Sequence, residues 1–262
     1  MVSSAPITAL TARQQEIDPA AEPGADVSDL VSRLRDDIVH ARFHADEPLR
    51  FRTLCDTYGA SVSTLREALA RLTSESLVDF RPNHGFRVAR ISVEDLLDIN
   101  AARSEIEGVA LRRSIECGDD RWEAEIVASH HRLTRVQSRL NGAGDPALAS
   151  EWEARHREFH QSLIAGCNSR WLMRFCEMLR VQSDRYRHLV LVPPSIYPRL
   201  TDQHKPLVDA TLARKADAAC TLLAGHFEES ARVILDGIAD PAARKQSKPQ
   251  KQQTNSSRTK RS

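Results

Sequence analysis

The chain has 262 residues, 41% of them apolar and 28% charged, with a formal net charge of +1. That length suits one or two domains with proper cores. The near-neutral balance excludes a protein that coats nucleic acid over its whole surface, so any DNA contact has to be a local basic patch. Apolar runs such as Leu189 to Val192 fall far short of the ~20 residues of a membrane span. The first residues lack a basic start followed by an apolar stretch, so export is not expected.

Residues 1–26, rich in Ala, Pro and Ser without periodicity, read as a flexible leader. A helix is expected from Ser28, which is placed to cap it, with Leu30, Val31, Leu34 and Ile38 at helical spacing. A short second helix runs from Arg52 to Tyr58 and breaks at Gly59. Ser61 then caps a third, whose Leu65, Ala68, Leu69 and Leu72 face inward and leave Ser63, Thr64, Arg66, Ala70 and Arg71 on a polar, basic outer face. Leu77 to Arg81 and Phe86 to Arg90 alternate apolar and polar, and Pro82-Asn83-His84-Gly85 between them supplies turn chemistry for a β-hairpin. Three helices and a hairpin make a winged helix-turn-helix over 27–92. The third helix of such a unit enters the major groove and the hairpin tip reaches the neighbouring backbone or minor groove. Arg66, Arg81 and Arg87 then become phosphate or base ligands.

Beyond Ile91 the 3.6-residue period takes over, so the chain is mainly α, with an all-helical second domain over 93–239. Helices are expected near Val93, Pro146, Tyr197 and Ala216. One more carries Trp122, Ile126, Leu133, Val136 and Leu140 inward, and another Trp171, Leu172, Phe175, Met178 and Leu179. This is a bundle of about six helices. Residues 240–262 form a basic tail with no acid after Arg244, read as solvated. The five cysteines, Cys55, Cys117, Cys167, Cys176 and Cys220, are scattered without a Cys-x-x-Cys pair and read as reduced core thiols of a cytosolic protein.

His156 and His160 share one helix face, and His204 and His226 fall on two later helices. Spacing alone leaves two readings: satisfied buried imidazoles, or four nitrogen donors converging on a divalent transition metal such as zinc or nickel. His130 and His131 read as surface residues, and His188 has no assigned role.

Together these residues resemble GntR-type regulators of the FadR subgroup over about 28–238, most specifically in Ser61-Val62-Ser63-Thr64-Leu65-Arg66-Glu67-Ala68-Leu69, with Leu77-Val78 and His84-Gly85 downstream. The resemblance implies operator contacts from Arg52, Ser63, Thr64, Arg66, His84 and Gly85, with Arg87 beside them. It also implies a sensor domain that binds metal through one Asp and three His. His160, in Glu158-Phe159-His160 and followed by Asn168, matches the first histidine, and His204 and His226 match the others. His156 stands at the carboxylate position. Arg103, in Arg103-Ser104-Glu105-Ile106-Glu107, resembles an Arg-x-x-x-Glu element that either meets an effector carboxylate, with Asn168 as a further effector contact, or bridges to an acid such as Glu107.

Two more departures are Val62, where the subgroup usually has Arg, and Ala45-Asp46 in place of a Pro-Gly turn. A missing guanidinium at Val62 removes roughly 1 to 3 kcal/mol of base discrimination. The implied function is a cytoplasmic homodimeric transcriptional regulator, a repressor or an activator, that binds double-stranded operator DNA as an inverted repeat under control of a small-molecule effector, an organic acid. Its rivals are a metal-dependent hydrolase on the helical bundle and an effector-independent dimeric DNA-binding protein. Against the hydrolase, no His-Glu-x-x-His or comparable catalytic motif occurs.

Overall fold

A computed structural model of the chain describes residues 26–140, 145–189 and 202–239. The expected leader through residue 25, the helix start at Tyr197 and the basic tail lie outside the described residues.

Helix α1 (Val27–Val39) buries Leu30, Val31, Leu34 and Ile38. Its cap is Asp26, whose carboxylate accepts the Ser28 N–H at 3.0 Å. Ser28, the expected cap, is instead a first-turn residue, because the carboxylate two positions earlier satisfies the orphan donor that a helix start leaves. Helix α2 (Phe51–Tyr58) stops at Gly59, whose φ of +65° suits a residue with no Cβ. Helix α3 (Val62–Ser74) starts at Ser61, whose hydroxyl accepts the Thr64 N–H at 3.1 Å. Strands β1 (Val78–Arg81) and β2 (Gly85–Val88) pair antiparallel, Val78 opposite Val88 and Arg81 opposite Gly85. Both are shorter than expected, and Gly85 opens β2 instead of closing the turn. Asn83 and Gly85 both have positive φ, which tightens the connection. Leu30, Leu34, Leu54, Leu65, Leu69, Leu72, Leu77 and Val88 form the core of this unit.

The second domain comprises α4 (Val93–Cys117), α5 (Asp120–Leu140), α6 (Pro146–Ile164), a 3₁₀ turn (Ala165–Cys167), α7 (Arg170–Leu189), α8 (His204–Leu212) and α9 (Ala216–Ala239). Helix α4 packs against α6, α7 and α9, and α5 lies against α6 and α8. Leu111, Trp122, Ile126, Trp152, Phe159, Leu207 and Phe227 are the heart of the core. Among the described residues no helix is long and apolar enough to cross a membrane.

Two expectations need correcting. The apolar stripe of α7 is only partly inward: Leu172 packs against the core, whereas Trp171, Phe175 and Met178 are 53%, 44% and 40% exposed. Further along α7 the buried residues are mostly polar, Gln182, Ser183, Asp184, Arg185 and Arg187 among them, which apolar spacing did not mark. The cysteines are not uniformly core thiols either. Cys167 and Cys176 are buried, Cys55 and Cys220 are partly covered and Cys117 is exposed, all five without a disulfide.

The polar stretch of α7 is also where the two domains meet. Val181 packs against the winged core. Gln182 donates to the Glu75 carbonyl at 2.6 Å and Arg185 to the Ala89 carbonyl at 2.8 Å. Tyr186 receives the Ser92 N–H at 3.2 Å and donates its own hydroxyl to Asp95. The His188 ring lies 4.5 Å from that of His40 at the end of α1. Beside these contacts a cleft of about 420 Å³ opens between the domains, lined by Glu75, Arg90, Asp95, Met178 and Arg185.

Candidate nucleic-acid interface and buried histidine site

The outer face of α3 presents Ser63 and Arg66 to solvent. The Arg66 guanidinium stands 5.5 Å from the centre of the Phe51 ring, a cation–π brace that limits its rotamers. Thr64 is half-buried, its hydroxyl 2.8 Å from that of Ser61. Arg52 is exposed on the first turn of α2, His84 is exposed at the hairpin tip, and Gly85 follows it. Val62 is 48% exposed on the same surface, so a side chain that cannot hydrogen-bond occupies a position facing outward.

Arg87 behaves differently from that set. Its guanidinium holds both the carboxylate and the carbonyl of Asp46, and Arg81 and Arg90 reach the same carboxylate at 2.7 and 3.3 Å. Arg81 and Arg87, expected as phosphate or base ligands, thus have an intramolecular partner. Asp46 itself sits in a turn with φ +61°. The hydrogen bond from Arg87, followed by that from Arg90, keeps its carboxyl below the usual carboxylate range. Asp79 lies 3.7 Å from Arg81 on its other side, so three guanidiniums face two carboxylates at the base of the wing.

In the helical domain the four histidines do converge. His156 and His160 come from α6, His204 opens α8 and His226 lies in α9, all of them buried. One ring nitrogen from each lies within 4.8 Å of the others. Two nitrogens on opposite sides of an ion bound at roughly 2.1 Å are roughly 4.2 Å apart, so small ring rotations bring the set into reach of a single ion. Trp152 stacks on His156 with ring centres 4.6 Å apart and fixes its plane.

Burial drives the pKa values of His156, His160 and His204 well below the ordinary imidazole value, and that of His226 down to about 3. The rings are therefore neutral and able to donate a lone pair. His226 Nδ1 is 3.1 Å from Gln203 Oε1 and so donates to it, which leaves Nε2 bare. Both nitrogens of His204 and Nδ1 of His160 are buried with no hydrogen-bond partner among the described residues. Each such atom costs roughly 1 to 3 kcal/mol. An imidazole aims one nitrogen at a given point, so the uncommitted His204 nitrogen that faces the cluster fits a site built around a group that engages it, and neutral nitrogen donors suit a divalent transition metal over magnesium or calcium.

Charged side chains surround this cluster. The Arg187 guanidinium reaches His156 Nδ1 at 2.9 Å, Asp184 at 3.2 Å and Glu153 at 3.4 Å. Arg103 is buried. It pairs with Glu107 at 2.8 Å, donates to Ser183 at 3.0 Å and lies 4.0 Å from the centre of the Phe227 ring. The bridge to Glu107 is thus present. A cavity of about 20 Å³, room for about one water molecule, lies between Glu107, His160, Cys176 and Arg180.

Asn168 is exposed and has φ +50° where the 3₁₀ turn ends. Asn tolerates that left-handed backbone, which gives it a structural reason to stand there. His130, read as a surface residue, packs its half-buried ring 5.5 Å from Phe159. Sequence reasoning missed Asp46, Gln203 and Arg187. No local pattern could have found Arg187, since a lone arginine on a helix ordinarily reads as solvated.

Comparison with known proteins agrees with this layout. Residues 27–88 match the family described as bacterial regulatory proteins, gntR family, and residues 98–229 match the FCD domain. The chain is 37% identical over 222 residues to an uncharacterized HTH-type transcriptional regulator, BphR, of Paraburkholderia xenovorans, covering 83% of this chain and 90% of that one. It is 34% identical over 210 residues to the HTH-type transcriptional repressor GlaR of Escherichia coli, covering 79% and 94%. Among solved structures, E. coli McbR/YncC superposes with a TM-score of 0.68 at 20% identity over 80% of this chain and 97% of that one, which speaks for the fold alone.

Proposed function

Because the chain belongs to the gntR family of bacterial regulatory proteins and carries an FCD domain behind its DNA-binding unit, we propose that it is a cytoplasmic homodimeric repressor whose hold on an inverted-repeat operator is set by a divalent metal and a small organic acid. The observation that carries this reading is the buried four-histidine cluster joined through α7 to the contacts that seat the winged unit. Its relatives are transcriptional regulators, and it is not an enzyme, so the hydrolase alternative falls away.

Arg52, Ser63, Thr64, Arg66, His84 and Gly85 line the surface that would meet DNA, with Arg66 aimed at base edges and the wing at the backbone. Asp46 keeps Arg81 and Arg87 in place beside it. Two-fold pairing would set two α3 helices in successive major grooves. The exposed Trp171 and Phe175, at i and i+4 on α7, favour pairing through that face.

His160, His204 and His226, with His156 beside them, would hold the ion. When bound, it supplies uncompensated positive charge that draws a carboxylate. Arg103 would meet such a carboxylate by exchanging part of its pairing with Glu107. Occupancy biases operator affinity only by favouring one arrangement of the domains over another. Helix α7 supplies the connection, since Ser183 and Arg187 face the sensor site while Gln182 and Arg185 hold the winged unit.

The test is fluorescence anisotropy on an operator selected from random DNA, with Zn²⁺ and a panel of organic acids, with and without chelator. A change in affinity of about fivefold or more is expected for at least one acid. Identical affinity under every condition overturns the sensor reading and leaves the effector-independent regulator.

A further inference from the structure

The geometry points to a division of labour inside the histidine cluster that the spacing does not reveal: His160, His204 and His226 are metal ligands, whereas His156 is a hydrogen-bond donor to the anion that accompanies the metal, held to that role by Arg187. This rests on the metal reading above and reassigns one of its residues.

A guanidinium has five N–H donors and no acceptor, so an arginine nitrogen 2.9 Å from His156 Nδ1 can only donate to it. Nδ1 must then carry a lone pair. A neutral imidazole has one ring proton, and here it sits on Nε2. That atom is the one turned into the cluster, 3.1 Å from His160 Nε2. A nitrogen that carries a proton cannot bind a metal. For His156 to become a ligand, its proton would have to move to Nδ1 and the bond from Arg187 would have to break.

The surroundings oppose that exchange. Arg187 is buried and held from the other side by Asp184 and Glu153. Trp152 stacks on the His156 ring and fixes its plane. The other three rings are set differently. His226 spends its proton on Gln203 and turns Nε2 inward, and the nitrogens of His204 are uncommitted among the described residues. His160 Nε2 accepts from His156 and so bears its ring's lone pair, which passes to a metal once the His156 N–H turns to the anion.

The cluster is thus three lone pairs and one N–H. Three ligands leave positions open on a transition metal, and an inward N–H suits an oxygen anion there. Where the resemblance places a carboxylate, this chain has exchanged a negatively charged ligand for a donor. Arg187 acts through His156 as a positioning residue. Its own charge is offset by Asp184 and Glu153.

The test uses the full chain stripped of metal and titrated with Co²⁺, followed by visible absorption and calorimetry, then by acetate. Wild type and His156→Gln should each bind one ion per chain with dissociation constants within about threefold of each other, while His204→Gln weakens binding by about a hundredfold or more. Acetate should perturb the Co²⁺ spectrum of the wild type. Its half-saturation should rise about tenfold or more in His156→Gln, the loss of one hydrogen bond to a charged group.

Imidazole ¹⁵N shifts of the wild type, which need no variant to fold, should show His156 protonated at Nε2 in the metal-free chain and in the Zn²⁺-loaded chain. In Arg187→Gln the metal-free chain should show His156 populating both tautomers. Loss of Co²⁺ from His156→Gln to the degree seen in His204→Gln, or an Nδ1–H on loaded His156, overturns the assignment while leaving the metal site standing. A wild-type chain that binds no Co²⁺ sinks the metal reading and this one with it.

Discussion

In the winged unit the core is apolar but for the Tyr58 hydroxyl, which donates to Asp37, and among its described residues no charged side chain is buried. The helical domain adds buried polar and charged groups to its apolar core. It buries Arg103, Glu107, Asp184, Arg187 and four histidines beneath helices whose outer surfaces include Trp171, Phe175 and Met178. Chemistry carried on an outer face can change without cost to the fold, because water replaces whatever contact is lost. Chemistry carried inside is part of the fold, since every polar group there has to be matched. Binding and stability should therefore separate in the first domain and be joined in the second.

The largest effect expected from that difference is at Glu107. Removing it in Glu107→Ala leaves the guanidinium of Arg103 buried without its acidic partner, a loss of about 3 to 5 kcal/mol for a broken buried pair. Urea denaturation would read it as a lowered midpoint. A shift below about 0.5 kcal/mol, the range of ordinary surface changes, would mean that the interior chemistry is not structural after all.

Next in size is Arg66→Ala. Its operator affinity should fall by about tenfold to a hundredfold, from about 1 to 3 kcal/mol of lost base contact, with the unfolding midpoint unchanged. Loss of stability alongside affinity would erase the contrast between the two domains.

The first domain was legible from sequence because one apolar face per helix packs over one apolar core. The Leu65, Ala68, Leu69 and Leu72 stripe lands inside, and the hairpin follows where its turn residues put it. The second was legible where it is built the same way, as in Trp122, Ile126, Leu133 and Val136. It failed on the second half of α7, where the buried residues from Gln182 to Arg187 are, apart from the Tyr186 ring, polar because they serve the cluster and the domain contact. The spacing of the four histidines permitted their convergence, and the resemblance to the FadR subgroup implied it. The bond from Arg187 to His156 spans 31 positions and depends on how α6 and α7 cross, which no local pattern encodes. The capture of three arginines by Asp46 likewise needs a positive-φ turn to aim its carboxylate.

A pH-dependent effect sharpens the comparison at the seam. Burial, then the neighbouring His40, lowers the pKa of His188 to about 4, with the Asp184 carbonyl opposing. The unfolded chain takes up that proton near pH 6.5 and the folded chain only near 4. Stability contributed here is present above pH 6.5 and is lost as pH falls toward 4. Calorimetric melting temperatures should decline over that window, and His188→Gln should flatten the decline. Equal slopes in the two proteins would remove His188 from the account.

The cleft of about 420 Å³ between the winged unit and α7 has a consequence of its own. At roughly 30 Å³ per molecule it has room for more than a dozen waters, so drawing the two domains together expels liquid and parting them admits it. Solutes too large to enter, such as sucrose, favour whichever arrangement holds less of that liquid. If DNA binding changes that volume, operator affinity should shift with sucrose concentration; an affinity independent of sucrose would show that the cleft keeps its size.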